Sequence, residues 1–300
     1  MILEQVTGLL TKVIETYSHQ LPVFVGLALL FTVVAVFDSQ ASKPGKVWWR
    51  NPGLFTDICY ALIHGLVGPY LRLPAIIVIF ALLHGRIGSG DELADFFYSG
   101  RGPLSGWPFW AQAVVHLVLS DFLLYWLHRL LHGATLWRYH AIHHSGEEVD
   151  WTTTYRSHPI NIVLQPALVY VIMLALGISP EVMIFLLPLD TLTAAWVHSN
   201  LNWTLGPLKY VIATPVFHRW HHTLPDEGGN SNFAPTFSFW DWLFGTFYMP
   251  AGKQPAVFGT DDPHFPEGYF KQLIYPLKSQ DKTDAPLEAG QSADTTAGSR

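Results

Sequence analysis

The sequence predicts an all-α fold, an integral membrane helical bundle with four to six membrane segments. Hydrophobic residues form 50% of the 300-residue chain. Only 13% of the residues are charged, about half the share that is usual in soluble domains. The apolar residues are gathered in long runs, several of which approach the roughly 20 residues that a membrane-spanning helix needs.

The N-terminal third contains two apolar stretches. Residues 21–37 carry no charge, and their helical length at about 1.5 Å per residue nearly crosses a hydrocarbon core of about 30 Å. We expect this segment to be the first membrane helix. The stretch 54–84 is interrupted by Gly68, Pro69 and Pro74, so it forms either one broken helix or a tight re-entrant pair.

Two further apolar stretches occupy the middle of the chain. Residues 108–127 form one continuous run. Residues 160–200 are long enough for two helices, and the turn sequence from Gly177 to Pro180 folds them back on each other. This hairpin returns the chain to the side of the membrane from which it started.

Basic residues in short loops predict the orientation, because such loops tend to stay in the cytoplasm. Lys43, Lys46 and Arg50 follow the first helix, whereas the loop 86–107 carries more acidic than basic residues. We therefore expect the first loop and both histidine-rich segments to face the cytoplasm. The membrane is then a bacterial inner membrane or the endoplasmic reticulum.

Charge and cysteine content exclude several classes of protein. The net charge of -6 leaves no basic surface for nucleic acid. The single Cys59 excludes a disulfide framework and a cysteine zinc finger. The sequence also lacks HExxH, a phosphate-binding P-loop and the GxSxG elbow, which removes the commonest zinc protease, phosphoryl-transfer and serine hydrolase functions.

Histidine is the abundant metal-binding side chain, with eleven of the fifteen histidines between His116 and His222. In the segment 121–132, Asp121, Tyr125, His128 and His132 recur at helical spacing and form one stripe along a helix. His128 and His132 are therefore placed to share one metal ion.

Two identical histidine triplets follow this pair. Each has the spacing HxxHH, which puts three imidazoles on one face of a helix. They are His140, His143 and His144 in the first triplet, and His218, His221 and His222 in the second. The predicted hairpin between the triplets brings the second back to the same side as the first.

Eight imidazoles exceed the needs of one ion. A zinc ion takes four ligands, whereas two octahedral irons use eight or nine and still leave positions for oxygen. The chain has no Glu-x-x-His, so the site differs from the glutamate-rich di-iron sites of soluble bundles. Asp121 and Asp241 are expected to hydrogen-bond around the ligands rather than to bind metal.

Six segments together resemble the fatty acid hydroxylase and sterol desaturase superfamily of integral membrane di-iron enzymes. They are DFLLYWLHRLLH, WRYHAIHHS, RSHP, WVHSNLNW, PVFHRWHH and NFAPTFSFWDWLFGTF. The resemblance covers about residues 105–250. It implies a helical membrane core capped by a cytoplasmic, helical, histidine-rich metal site. It also implies oxygen activation with electrons from a partner, and a lipid substrate that comes from the bilayer.

The resemblance divides the chain into four parts. These are N-terminal membrane helices in 1–104, a fatty acid hydroxylase-like catalytic domain in 105–250, a C-terminal extension in 251–275 and a tail in 276–300. The tail has almost no large apolar residue, so we expect it to be disordered.

Carried over by position, the resemblance implies nine metal ligands. They are His128, His132, His140, His143, His144, His198, His218, His221 and His222. Some relatives have a further histidine four residues after His198, where this chain has Asn202, so a weaker or water-mediated ligand is expected there. His158 is given a positioning role, and Asp241 is expected to fix its turn and orient a ligand.

The remaining polar residues of the apolar segments have structural or open roles. We expect structural roles for His19, His64, His84, His116 and His264. Asp190 lies among leucines two turns before His198, where it either hydrogen-bonds toward the site or caps a helix near the interface.

The predicted function is an oxygen-dependent lipid hydroxylase or desaturase with two iron ions, for which zinc is a possible substitute, and with O2 as co-substrate. No haem-binding or flavin motif is present, so electrons come from a separate reductase, ferredoxin or cytochrome. Two alternatives remain open: a zinc-dependent membrane lipid hydrolase, and a non-catalytic metal-binding or transport protein. A transporter should place its ligands near the bilayer midplane.

Overall fold

The computed structural model describes residues 21–34, 47–66 and 102–278, together with Ser18, Val36, Ala81 and residues 89–92. Within these residues the regular structure is helical and no β-strand occurs, although Thr223 and Phe258 form an isolated antiparallel bridge. This confirms the predicted all-α class.

The described helices are numbered in chain order. They are α1 (Leu21–Val34), α2 (Leu54–Leu66), α3 (Phe109–Leu131), α4 (Trp137–His144), α5 (Pro159–Leu176), α6 (Pro180–His198), α7 (Pro215–His221), α8 (Phe239–Leu243) and α9 (Tyr269–Ile274). Short 3-10 turns lie between them, including Trp151–Tyr155 before α5 and Gly206–Tyr210 before α7.

Three of these helices are long and apolar enough to cross a membrane. They are α3, α5 and α6, with 23, 18 and 19 residues. Large apolar side chains on their outer faces are exposed, as at Ile184 and Phe185 of α6. An exposed apolar surface of this kind needs lipid around it. The predicted helix at 108–127 and the predicted hairpin at 160–200 are both present.

The N-terminal apolar segments are only partly covered by the described residues. The described part of the predicted first membrane helix is α1, which is shorter than a full span. In the stretch 54–84, α2 ends at Leu66, and nearly all the remainder lies outside the described residues, as do His19 and His84. The total of four to six segments therefore stays a prediction.

The turn between α5 and α6 lies at the end of the bundle opposite the histidines. Gly177 ends α5 in the left-handed region, with φ of 85°. Its Cα packs directly on the backbone of Gly102, where a Cβ on either residue would overlap the other. At the same end, Gln112 of α3 accepts a hydrogen bond from the Ser179 amide at 2.8 Å. These contacts join the turn to the start of α3.

Three helices begin with a polar cap followed by proline at the first helical position. The pairs are His158 and Pro159 for α5, Ser179 and Pro180 for α6, and Thr214 and Pro215 for α7. In each, a side-chain acceptor of the cap residue receives a backbone N–H of the first turn. Proline lacks the donor that would be unpaired there, so these pairs define the starts of the helices.

The N-terminal helices pack on the region that carries the histidines. Leu27 and Phe31 of α1 share a hydrophobic cluster with Trp151 and Ala195. Tyr60 of α2 packs with Ile142 of α4 and Tyr269 of α9. The described C-terminal residues extend to Lys278, and residues 279–300 of the predicted disordered tail lie outside the described part. Contacts therefore cross the predicted boundaries at 104 and 250.

Candidate metal centre

Nine histidines from four helices meet at one end of the bundle. The end of α3 brings His128 and the capping residue His132, and the end of α6 brings His198. The short helices α4 and α7 bring the two triplets. Because α3 and α6 both finish at this end, and α5 starts there, the hairpin brings the triplets together as the sequence predicts.

The nine histidines form two groups, in each of which one ring nitrogen per residue lies within 4.8 Å of the others. The five-histidine group contains His128, His132, His140, His144 and His221. The four-histidine group contains His143, His198, His218 and His222. Each group could hold one metal ion, and every sequence-predicted ligand belongs to one of the two.

Both triplets are divided between the groups. His140 and His144 join the five-histidine group, while His143 between them joins the other. In α7 the assignment is reversed, because His218 and His222 join the four-histidine group and His221 the other. In both helices the residues at i and i+4 join one group and the residue at i+3 joins the other, although all three lie on one face of the helix. Each of the two helices therefore serves both groups.

Backbone carbonyls fix the tautomers of four of these histidines. In the five-histidine group, Nδ1–H of His128 and of His221 donates to the carbonyls of Phe233 and Ser231, each at 2.7 Å. In the four-histidine group, Nδ1–H of His143 donates to the Arg156 carbonyl at 2.9 Å. Nδ1–H of His198 donates to the Ala194 carbonyl at 2.7 Å. A carbonyl only accepts, so each Nδ1 carries the proton and each Nε2 carries a lone pair.

These lone pairs point at one another. The Nε2 atoms of His143 and His198 lie 3.2 Å apart, although neither has a proton to share. Nε2 of His132, His144 and His221 is buried without a hydrogen-bond partner. Two facing lone pairs and buried ring nitrogens without a partner are unfavourable unless a cation lies between them. The donor set therefore fits a metal ion in each group.

Burial keeps the imidazoles of the short helices neutral. Desolvation lowers the pKa of His143 to about 4, despite the hydrogen bond to the Arg156 carbonyl that raises it. It also lowers the pKa of His140, His144, His218 and His222, with the neighbouring histidines adding to the effect. Neutral imidazole is the form that binds metal, so these ligands need not lose a proton first.

Asp241 and Asp121 hold the loop that supplies two of the carbonyls. The Asp241 carboxylate accepts from the amides of Phe233 and Ala234 at 2.7 and 2.8 Å. Asp121 accepts from the amides of Thr236 and Phe237 at 2.8 and 3.0 Å. Burial raises the pKa of Asp241 to about 6. Both carboxylates thus bond to backbone rather than to a ligand histidine.

Asn232 is a site residue that sequence reasoning missed. It lies between the two carbonyls that receive His221 and His128, in the left-handed region with φ of 57°. Its side-chain amide donates to the carbonyls of Phe217 and Tyr248 at 2.8 and 2.7 Å. Its side-chain oxygen accepts from the Tyr248 amide at 2.7 Å. Asparagine is among the few residues that tolerate this conformation, so the residue type itself was the signal that the sequence offered.

Asn202 bonds to an arginine beside the four-histidine group. Its Oδ1 accepts from Nη2 of Arg219 at 3.1 Å, and the same Nη2 donates to the Leu201 carbonyl at 2.6 Å. Arg219 is fully buried in α7, and burial lowers its pKa to about 9. The guanidinium ties α7 to the loop after His198.

The other predicted polar residues lie outside the two groups. His158 uses Nδ1 to cap α5, and its Nε2 lies 3.2 Å from the Leu273 carbonyl. Its ring packs against Tyr139, next to His140. His116 is buried within α3, and Asp190 is exposed on α6. His264 is exposed in the C-terminal extension.

Known proteins resemble this chain over most of its length. The fatty acid hydroxylase family matches residues 113–246. Ornithine lipid hydroxylase OlsE of Rhizobium tropici is 32% identical over 254 residues, which is 84% of this chain and 74% of that protein. Human alkylglycerol monooxygenase is 33% identical over 85% of this chain and 52% of its own length.

A third kind of relative is more distant. The very-long-chain aldehyde decarbonylase GL1-11 of Oryza sativa is 30% identical over 45% of this chain and 52% of its own. The chain thus spans about three quarters of the ornithine lipid hydroxylase and about half of the other relatives. No solved structure matches it.

Proposed function

The chain belongs to the fatty acid hydroxylase family, and we propose that its two histidine groups hold two iron ions for the oxygen-dependent hydroxylation of a membrane lipid. The observation that carries the proposal is the convergence of one ring nitrogen per histidine within each group, together with the facing Nε2 lone pairs of His143 and His198. Two of the three kinds of relative bear the names hydroxylase and monooxygenase, which favours insertion of oxygen over desaturation.

Iron suits the number and kind of ligands. The nine neutral imidazoles provide five and four donors, which is more than a pair of tetrahedral zinc ions takes. Iron accepts imidazole and higher coordination numbers, so positions remain free for oxygen and substrate. Zinc can replace iron in such a site during purification, and metal content alone is therefore an incomplete test.

The iron pair supplies the oxidation of an unactivated C–H bond by O2, a step for which side chains have no chemistry. The residues of this chain bind the ions, orient the ligand rings and shield the centre from water. The carbonyls of Ser231, Phe233 and Arg156 keep the rings in the tautomer whose Nε2 is free. The buried histidines exclude bulk water from the space between the two groups.

Electrons and substrate come from outside the chain. Hydroxylation consumes O2, two electrons and two protons, and yields the alcohol and water. We propose that a separate reductase, ferredoxin or cytochrome supplies the electrons on the cytoplasmic side. His128 and His198 sit at the ends of two membrane-spanning helices, so the acyl or alkyl chain of a bilayer lipid can reach the centre from the membrane.

The same placement argues against a transporter. Transport sites lie near the bilayer midplane, often where helices are broken. Here the histidines lie at helix ends and on the short helices α4 and α7, beyond the spans. No observation in the described residues favours the zinc hydrolase over the oxygenase.

The proposal is tested with the full chain, expressed in cells whose lipids are profiled under ¹⁸O₂. We expect a lipid heavier by one labelled oxygen, and about two iron per chain after anaerobic purification. His221→Ala removes the product, whereas His264→Ala, an exposed histidine outside both groups, retains it. Zinc alone, with an ester or amide lipid cleaved without oxygen, would establish the hydrolase instead.

A further inference from the structure

A buried ion pair joins the N-terminal part of the chain to the loop before α5. Nε of Arg156 lies 2.6 Å from Oδ1 of Asp57 in α2, and the two side chains are 4% and 0% exposed. Asp57 lies outside residues 113–246, which match the fatty acid hydroxylase family. The pair therefore connects a residue beyond the family match to a residue inside it.

Arg156 contacts α4 at two points. Its backbone carbonyl accepts Nδ1–H of His143 at 2.9 Å. Its Nη1 donates to Oγ of Ser145, the residue that caps the end of α4, at 3.3 Å. One residue thus holds both the ring of His143 and the end of the helix that carries it.

The guanidinium is held by a further hydrogen bond and by close packing. Its Nη2 donates to the Gly53 carbonyl at 3.2 Å, and a Cβ at Gly53 would overlap that nitrogen. The second carboxylate oxygen of Asp57 accepts from Oγ1 of Thr152 at 2.9 Å. Asp57 is therefore held from two sides while it bonds the side chain of Arg156, whose carbonyl accepts Nδ1–H of His143.

We infer that Asp57 is a positioning residue of the four-histidine group, acting through Arg156 on the Nδ1–H of His143. The inference rests on the proposed metal centre and adds to it a residue from α2. The five-histidine group has a different support, since its carbonyls come from residues 231–233, which Asp241 and Asn232 hold. The carbonyls that accept Nδ1–H of His143 and of His128 and His221 are thus held by separate polar networks.

The separation gives a selective test with Co²⁺ as the probe, because its visible spectrum reports coordination. The full chain in detergent is prepared in two backgrounds. His132→Ala with His144→Ala leaves the four-histidine group as the reporter, and His198→Ala with His222→Ala leaves the five-histidine group. Asp57→Asn is then introduced into each.

In the background that keeps the four-histidine group, we expect Asp57→Asn to weaken Co²⁺ binding about 10- to 100-fold. This is the usual loss of metal affinity when a hydrogen-bond partner of a ligand histidine is removed. In the background that keeps the five-histidine group, Asp57→Asn should change Co²⁺ binding less than about twofold. Asp241→Asn is the matched control, because the same chemical change in the other network should give the opposite pattern. Equal losses in both backgrounds, or none in either, would overturn the inference.

Two further variants separate positioning from folding. Asp57→Asn combined with Arg156→Gln leaves no unpaired buried charge, and Gly53→Ala moves the guanidinium without removing any polar group. Both should reproduce the selective Co²⁺ loss while the thermal unfolding of the chain stays cooperative. Recovery of parental binding in the double variant would overturn the positioning role.

The outcome is distinct from that of the proposed function. Co²⁺ binding needs neither oxygen nor an electron donor, so a selective loss supports the inference even if no lipid product is found. If neither reporter background binds Co²⁺ before Asp57 is changed, the metal centre itself is refuted, and the role of Asp57 with it.

Discussion

Single residues set the direction of the imidazole rings, and they do so through backbone carbonyls. His128, His143, His198 and His221 each donate Nδ1–H to a carbonyl, so each presents Nε2 to its group. The hydrogen bond to the outer nitrogen fixes both the ring orientation and the tautomer. Side chains such as Asp241 act one step further out by holding the loop that carries the carbonyl.

Asp241→Asn should weaken metal binding in the five-histidine group. The amide that replaces the carboxylate keeps one acceptor, so one of the Phe233 and Ala234 amides loses its partner and the Phe233 carbonyl shifts away from His128. We expect about one iron per chain instead of two, and at least a tenfold loss of hydroxylation. Asp226→Asn, the same change at an exposed carboxylate, should leave both unchanged.

Asn232 offers a test that separates conformation from hydrogen bonding. Asn232→Gly tolerates the φ of 57° but removes three side-chain hydrogen bonds, whereas Asn232→Ala also forces alanine into the left-handed region at a cost of about 1–3 kcal/mol. Both variants should lose iron from the five-histidine group, alanine more than glycine. Equal iron content in alanine and glycine variants would show that conformation contributes nothing.

The helices position the ligand histidines by the residues at which they begin and end. α3 ends next to His132, and α6 ends at His198, so both deliver ligands to the same end of the bundle. The short helices α4 and α7 divide their triplets between the groups, with i and i+4 in one group and i+3 in the other. Two helices with one spacing therefore build two sites.

At the opposite end, Gly177→Ala should destabilise the bundle. The φ of 85° costs alanine about 1–3 kcal/mol. The new Cβ would also overlap the backbone of Gly102, so the turn must move off the start of α3. We expect a lower midpoint of thermal unfolding in detergent. Gly106→Ala is the control, since nothing lies within 4 Å of its Cβ position, and an equal decrease there would contradict this explanation.

At the scale of the molecule, the described residues combine three long apolar helices with the histidines at one end. α3, α5 and α6 carry exposed apolar side chains along their length, and the polar network of the metal centre begins where they end. The low charged fraction of the chain has two origins on this view. Lipid covers the outer surface, and the ligands of the centre are neutral.

Thiol labelling tests the proposed cytoplasmic orientation. In a Cys59→Ser background, Glu227→Cys lies at the histidine end and Ser105→Cys at the opposite end, and both positions are exposed. A membrane-impermeant maleimide added to intact cells should label Ser105→Cys alone, and Glu227→Cys only after the membrane is opened. Ile184→Cys, on the outer face of α6, should resist labelling in both conditions. The reverse order for the first two would invert the orientation.

The sequence by itself determined the helical class, the long apolar helices α3, α5 and α6, and eight of the histidines that the structure brings together, while the family resemblance added His198. Apolar run length and helical spacing are local properties, so the chain displays them directly. The pairs of a capping residue with proline at positions 158, 179 and 214 mark helix starts in the same local way.

Only the tertiary structure decided how the histidines are shared and what orients them. The division of each triplet depends on how α4 and α7 face each other, which spacing within one helix does not reveal. The acceptors of the Nδ1 protons are backbone carbonyls, and every residue has one. Asp57 acts on one such carbonyl from a distant position in the chain, and Asn232 fixes the loop between two others. A sequence carries no mark of a contact made by the main chain.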